Sequence, residues 1–147
     1  GVDDPQSFDE MRIFGRNVKR EYAKCTQFAL HAAQLALVDA GNPVFNGMVS
    51  ADRAGVAIGS GVGALEDTVD GQESLSKSYK KLSPFFIPKI LVNMAAGRVS
   101  MQHGLKGPCH STVTACAASA HSIGDAFNFI RLGQADMMLA GEFDSIL

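Results

Sequence analysis

One cysteine of this chain, Cys116, lies where a β-prone run gives way to a helical pattern. The run Ser111 to Ala115 favours a strand, and small and apolar residues then recur at helical spacing, at Ala117, Ala120, Phe127 and Ile130. A thiol at the start of a helix lies at the positive end of the helix dipole and beside unpaired backbone N–H groups, and both features favour the thiolate. The position therefore predicts a nucleophilic cysteine. A buried and inert thiol is the alternative, because free cysteines are among the most buried residues.

Short apolar runs alternate with helical patterns on both sides of this cysteine. Ala54–Ile58 and Ala135–Gly141 are too short for helices and too apolar for a surface, so each predicts a buried strand. Apolar spacing predicts helices over Tyr22–Ala40 and Lys89–His103, the second with Pro88 as its first residue. This alternation predicts a layered α/β architecture with a mostly parallel sheet, in which functional sites lie at the carboxyl ends of strands.

Three other segments have patterns of their own. Basic residues recur every three to four positions near the start of the chain, which predicts that they share one side of a helix: Arg12, Arg16, Lys19, Arg20 and Lys24. Leu65–Tyr79 is polar with scattered apolar residues, which indicates a surface helix or loop. Ser83–Pro88 is apolar and is predicted to be extended by its two prolines, and buried against this domain or a second subunit.

Composition excludes several classes of function. The chain has 147 residues, 46% of them hydrophobic, which is enough for one domain with a core. Its net charge of −2 gives no global basic field for nucleic acid, and no apolar run reaches membrane-spanning length. The three cysteines lack metal-ligand spacing, which argues against zinc and disulfides and for a reducing compartment. The glycine-rich turn Gly59–Ala64 lacks the lysine and the acidic residue of nucleotide-binding motifs, so its glycines are predicted to allow close backbone approach.

Several stretches together resemble one family. Val113–Ala117, followed by His121–Ala126 and Ile130–Asp136, resembles the nucleophile region of the 3-oxoacyl-[acyl-carrier-protein] synthases, the β-ketoacyl synthases that act as condensing enzymes of fatty-acid synthesis. Ser83–Gly97 and Leu105–Pro108 resemble the same family in the same order. The version Pro-Lys-Ile-Leu-Val-Asn-Met-Ala-Ala-Gly looks most like the mitochondrial members, which implies a mitochondrial location, or a cytoplasmic one if the protein is bacterial.

The resemblance implies a thiolase-like fold, built from two related α/β halves in each subunit, and a homodimer. Residues 1–147 would form part of the N-terminal half, without its first strand and without the second half, where the family keeps two catalytic histidines and a lysine. The chain alone is therefore predicted not to catalyse condensation. No cofactor or metal is implied, because the substrate is carried on the phosphopantetheine arm of acyl carrier protein.

The resemblance also implies residue roles. Cys116 would accept the acyl group as a thioester, and decarboxylated malonyl-carrier protein would then attack it and lengthen the chain by two carbons. The acyl pocket would involve Val62 as its gate, with Phe86 and Ile87 crossing the dimer interface. The acidic carrier protein would dock on a basic surface formed by Arg16, Arg20, Lys80 and Lys81.

Two positions depart from the family pattern, and two other hypotheses about the function remain open. Ala23 replaces an aspartate that is usual in the family, and Glu142-Phe143 replaces a glycine and a small residue, which puts the expected turn after Gly141 in doubt. His121 is interpreted as a packing or capping residue.

Two alternative functions remain. One is a catalytically inactive truncated paralogue that docks carrier protein or a synthase subunit, and the other is a thiolase-type acyltransferase that uses coenzyme A.

Overall fold

The computed structural model describes residues 8–143, and within that range helices cover both faces of a three-stranded sheet. The helices are α1 (Glu10–Phe14), α2 (Val18–Glu21), α3 (Lys24–Asp39), α4 (Leu65–Lys77), α5 (Phe86–Ile90), α6 (Met94–His103) and α7 (Ala118–Arg131). The strands are β1 (Ala54–Ser60), β2 (Cys109–His110) and β3 (Met137–Phe143). Helices and strands alternate from β1 onward, as the sequence predicts.

The sheet has the order β2-β1-β3, and both pairings are parallel. Val56 lies opposite Cys109 on one side of β1, and on the other side β1 pairs with β3 along its full length. Every residue of β1 is buried, which is the pattern expected of a central strand covered on both faces. The predicted parallel α/β sheet is confirmed.

The two faces of β1 carry side chains of different size. Val56 and Ile58 point into the main core, where they pack with residues of α3 and α6. The alternate positions Gly55, Ala57 and Gly59 face the other side of the sheet, because successive strand residues point to opposite faces, and Gly59 lies against α7. A Cβ atom at Gly59 would lie 2.8 Å from Ser122 Oγ and 3.0 Å from Ala118 Cβ, so glycine leaves room for α7 to lie this close to the strand.

The strand before Cys116 is shorter and earlier than predicted. It covers Cys109–His110, whereas Ser111–Ala115 contains no strand and α7 begins only at Ala118. The carbonyl oxygen of Thr112 still accepts a hydrogen bond from the Ser60 N–H (3.0 Å), but Ala115 has a φ of 49°, which no strand residue adopts. The chain therefore leaves the sheet before it reaches the cysteine.

The predicted basic helix is wrong because Gly15 interrupts it. Gly15 has a φ of 84° and its N–H binds the carbonyl oxygen of Met11, which ends α1. The basic residues of this region are consequently divided among α1, α2 and the start of α3, and do not share one side of a single helix. The predicted Tyr22–Ala40 helix is observed as α3, within two residues at each end.

The segment predicted to be extended is partly helical. Phe86–Ile90 forms α5, in which Pro88 is the third residue, a position where a missing N–H leaves no helical hydrogen bond unmade. The predicted helix Lys89–His103 is therefore divided, because Leu91 is extended (ψ 121°) and α6 begins at Met94. The polar stretch Leu65–Tyr79, for which the sequence predicts either a surface helix or a loop, contains the helix α4.

The last strand continues beyond its predicted end. β3 runs through Glu142 and Phe143, so the turn expected directly after Gly141 is absent, and Phe143 is buried in the main core. Among residues 8–143, no helix is both long enough and apolar enough to span a bilayer.

Candidate active site

Cys116 lies in a single 3₁₀ turn, Ala115–Ala117, between the end of β2 and the start of α7. The turn closes with a hydrogen bond from the Ala117 N–H to the Thr114 carbonyl oxygen (3.1 Å), and Cys116 is exposed. Ala115, with its positive φ, bends the chain immediately before the thiol. The structure thus places the predicted nucleophile on a turn that leads directly into a helix, with its side chain accessible to solvent.

Two hydroxyl groups hold the first turn of α7 to the segment that precedes Cys116. Thr112 Oγ1 donates to the Ala118 carbonyl oxygen (3.1 Å) and lies 2.9 Å from Ser122 Oγ. Ser122 is fully buried on the face of α7 that lies on β1. These contacts fix the two ends of the cysteine turn relative to each other.

His121 makes a further contact across the turn. Its Nδ1 lies 2.8 Å from Thr114 Oγ1, although both residues are exposed. His121 therefore makes a local hydrogen bond and does not act as a packing residue, which corrects one part of its interpretation from the sequence. The bond links the second turn of α7 to the residue two positions before Cys116.

Glu142 reaches the same helix from the sheet. Its Oε2 accepts a hydrogen bond from the backbone N–H of Ser119 (2.9 Å), one of the N–H groups at the start of α7 that have no partner within the helix. The sequence marked Glu142 only as a departure at the end of a strand. Neither this contact nor that between Thr112 and Ser122 follows from residue spacing, because both depend on how α7 lies against the sheet.

The other two cysteines differ from Cys116 in their surroundings. Cys25 is buried in α3, as predicted, and burial raises the pKa of its thiol. Cys109 is exposed as a residue, but partial burial of its sulfur also raises the pKa of its thiol. A raised pKa lowers the thiolate fraction at neutral pH, so neither position favours a nucleophile.

The glycine-rich turn lies at the same edge of the sheet as the cysteine turn. The Ser60 N–H bonds to the carbonyl oxygen of Thr112, and Ser60 Oγ accepts a hydrogen bond from the Gly63 N–H (2.9 Å). Val62, at the tip, is 71% exposed. A Cβ atom at Gly63 would lie 3.3 Å from Val92, so this turn abuts the connection between α5 and α6.

Phe86 and Ile87 lie at the start of α5 and have different surroundings. The ring of Phe86 covers Gly71 of α4 so closely that a Cβ atom at Gly71 would overlap it. Ile87 is 54% exposed. Of the predicted pocket residues on α5, Phe86 is therefore packed against α4, whereas much of Ile87 is uncovered.

One residue of the predicted basic surface, Arg20, contacts the segment at the start of α5. The Arg20 guanidinium lies 5.4 Å from the ring centroid of Phe85, and Lys89 Nζ donates to the Lys19 carbonyl oxygen (3.2 Å). These contacts join α2 to α5, which follows Lys80 and Lys81 in the chain. The side chains of Arg16, Arg20, Lys80 and Lys81 are all exposed.

The residues that the structure describes include no candidate metal site. Among residues 8–143, no group of three or more His, Cys, Asp and Glu residues is placed to hold a metal ion. The absence of a metal in the reaction stays a prediction.

The architecture and the site together define an α/β protein that presents an accessible cysteine at the start of a helix, beside the carboxyl ends of parallel strands. Comparison with known families makes the assignment specific. The model of the β-ketoacyl synthase N-terminal domain matches residues 2–147, so the chain belongs to the β-ketoacyl synthase family. The resemblance found in the sequence is confirmed.

Relatives carry the same family name. The chain is 55% identical over 95 residues to the mitochondrial 3-oxoacyl-[acyl-carrier-protein] synthase of Arabidopsis thaliana, a match that covers 64% of this chain and 21% of that protein. It is 50% identical over 121 residues to 3-oxoacyl-[acyl-carrier-protein] synthase 2 of Rhizobium meliloti, covering 80% of this chain and 28% of that one. The chain thus spans between a fifth and a third of the length of these relatives.

Solved ketosynthase structures share the fold. A type II PKS ketosynthase, solved in complex with its acyl-carrier protein, superimposes with a TM-score of 0.80 at 21% sequence identity. The match covers 92% of this chain and 39% of that one. The thiolase-like α/β fold expected from the sequence is confirmed.

Proposed function

We propose that this chain supplies the acyl-accepting nucleophile of a 3-oxoacyl-[acyl-carrier-protein] synthase. The observation that carries the proposal is the exposed Cys116 in its 3₁₀ turn at the start of α7. Family membership supports the same chemistry, because relatives with this domain are named for it.

The first step of the proposed reaction is acyl transfer. The Cys116 thiolate attacks the carbonyl carbon of an acyl thioester carried on phosphopantetheine, and the new C–S bond forms as the pantetheine sulfur leaves as a thiolate and takes up a proton. Negative charge develops on the carbonyl oxygen before the old bond breaks. The backbone N–H of Cys116 is proposed as one donor to this oxygen.

The second step is decarboxylative condensation. The malonyl thioester loses its carboxylate as carbon dioxide, and the electron pair left on its α-carbon attacks the acyl-Cys116 carbonyl. A carbon–carbon bond forms, and Cys116 sulfur leaves and regains a proton. The product is a 3-oxoacyl thioester that is two carbons longer.

The acyl chain is proposed to extend between the glycine-rich turn and α5. Val62 is the gate, because it lies exposed at the tip of a turn that Ser60 fixes at the carboxyl edge of the sheet. Phe86 and Ile87 are the apolar walls. The exposure of Ile87 supports a homodimer in which this residue faces the partner's pocket, because an exposed apolar side chain beside a packed aromatic one is suited to an interface.

Acyl carrier protein is the proposed partner of the basic surface. Its acidic surface would meet Arg16, Arg20, Lys80 and Lys81, and opposite charges on the two proteins would speed their encounter. Stacking of Arg20 on Phe85 holds one of these cations next to α5, which carries the pocket residues. The mitochondrion is the proposed location, supported by the name of the Arabidopsis relative.

The nucleophile is tested by mass spectrometry of the intact chain after incubation with medium-chain acyl-carrier protein. The wild type is expected to gain one acyl group, and Cys116→Ala none. Cys109→Ala is the matched control, since Cys109 is also exposed and should not be needed. Acylation that survives Cys116→Ala contradicts the proposal. A folded chain that binds carrier protein without becoming acylated would favour the docking scaffold.

The carrier-protein surface needs a separate test, which compares two acyl donors. Lys80→Glu is expected to slow acyl transfer from acyl-carrier protein about tenfold, within the range by which electrostatic steering changes association rates. Transfer from a small acyl-pantetheine thioester should be unchanged. Lys106→Glu makes the same charge change at an exposed lysine whose backbone N–H bonds to the Ala51 carbonyl oxygen, just before the amino end of β1, and should affect neither donor. Equal slowing by both variants would contradict a localised docking surface.

A further inference from the structure

We infer that Glu142 is a positioning residue that acts on Cys116 through Ser119 and lowers the reactivity of the thiol by its negative charge. The inference rests on the proposed function, because it concerns the cysteine assigned there as nucleophile.

The contact itself is specific. Glu142 Oε2 accepts the Ser119 N–H at 2.9 Å, a distance typical of a charge-assisted hydrogen bond. Ser119 follows Cys116 by three residues, about one helical turn. The carboxylate therefore lies at the same helix terminus as the thiol, and it belongs to another element, β3, which fixes it in place.

Charge determines the direction of the effect. The N-terminal end of α7 favours an anion, and in this chain Glu142 already provides one. A carboxylate at this position offsets the positive potential of the helix terminus and repels a second negative charge on Cys116. The thiolate is therefore less favoured than the helix alone would make it.

The remaining titratable groups around α7 are few in the described range. On α7 itself His121 bonds to Thr114, and Asp125 Oδ2 lies 3.0 Å from Nδ1 of His110 on β2. Strand β1 carries no charged residue, and Arg131 lies at the far end of α7. Among the charged residues on β1, β2 and β3, Glu142 is thus the one that contacts the start of α7.

The test is the rate at which iodoacetamide alkylates Cys116, followed by peptide mass mapping across a pH series. Glu142→Gln keeps an oxygen acceptor for Ser119 and removes the charge. It is expected to alkylate about two- to fivefold faster near neutral pH, the factor that corresponds to a single charge at a helix end. The midpoint of its pH profile should move to lower pH.

Asp136→Asn is the matched control. It removes one negative charge directly before β3, about 20 Å along the strand from Glu142, and should leave the alkylation of Cys116 unchanged. A neutral Glu142 variant that is folded by circular dichroism and reacts no faster overturns the inference. Glu142→Ala is a second test, because it also removes the charge, and the pH profile of Cys116 alkylation should move in the same direction.

The same variants separate this inference from the proposed function. If Cys116 is acylated by carrier protein but Glu142→Gln does not change its alkylation rate, only the role of Glu142 fails. If Glu142→Gln accelerates alkylation while acyl-carrier protein never acylates the wild type, only the proposed function fails.

Discussion

His121 Nδ1 lies 2.8 Å from Thr114 Oγ1, and this hydrogen bond spans the turn that carries Cys116. One partner precedes the cysteine by two residues and the other follows it by five. The bond therefore limits how far the thiol can move relative to α7, although both partners are exposed.

Thr114→Val is expected to slow acylation of Cys116. It should also lower the free energy of unfolding by about 1 kcal/mol or less, which is the net contribution of one hydrogen bond. His121→Ala should have a similar effect. The measurement is a double-mutant cycle on acylation rate and urea unfolding. Fully additive effects of the two substitutions would show that the contact does not act on the turn.

Gly59→Ala is expected to displace α7 at the cysteine turn. The new Cβ atom would lie 2.6 Å from Thr112 Oγ1 and 2.8 Å from Ser122 Oγ. Overpacking of this kind typically costs about 1–3 kcal/mol of stability. Acylation per folded molecule should fall as well, because both hydroxyl groups hold the start of α7.

Gly55→Ala is the control for that prediction. Its Cβ atom would overlap the Pro108 carbonyl oxygen near the start of the same strand, away from the cysteine turn. Both variants should unfold at lower urea concentration, but only Gly59→Ala should lower acylation of the molecules that remain folded. Equal acylation by the two would contradict a role for Gly59 in placing the turn.

Gly71→Ala is expected to displace the ring of Phe86. Although alanine favours a helix by about 1 kcal/mol over glycine, the overlap with the ring should reverse the sign and leave the variant less stable by about 1 kcal/mol. Phe86→Leu in the same chain should restore part of the loss. Gly124→Ala, a helical glycine with no atom within 4 Å of its Cβ position, should instead be stabilised. Thermal unfolding of the three variants beside the wild type measures all these effects.

Asp136 forms an ion pair that makes stability depend on pH. Arg53 donates to both carboxylate oxygens (2.6 and 3.1 Å), and this contact holds the pKa of Asp136 below its ordinary value. The pair therefore stabilises the fold above the unfolded-state pKa, about 3.9, and the contribution disappears as pH falls through the lower folded-state value.

Asp136→Asn should accordingly be slightly less stable than the wild type near neutral pH, with a small difference because both side chains are well exposed. The two urea midpoints should converge as pH falls below about 4. Arg53 also donates to the Gly133 carbonyl oxygen (2.8 Å), so it remains held in the variant. A difference that persists unchanged at acidic pH would show that the carboxylate charge is not its cause.

The sequence alone predicts the parallel α/β architecture, both long strands, a turn at Cys116 and the family. These features depend on local patterns: an unbroken apolar run such as Ala54–Ile58 fits only a buried strand, and the residues around Cys116 follow one another in a specific order. The ends of the helices were predicted less accurately than their presence. Gly15 divides the basic helix and Leu91 divides the helix after Pro88, because single backbone conformations overrode the periodicity of the flanking residues.

The residues that surround Cys116 follow only from how the layers of the fold pack. The bond between Glu142 and Ser119 joins residues 23 positions apart, and it exists because β3 pairs with β1 in a register that directs Glu142 toward α7. The contact of Thr112 with Ser122 likewise requires glycine at position 59, which lets the helix lie against the strand. Residue spacing contains neither the strand register nor the distance between helix and sheet, so these partners become visible only when the layers are packed.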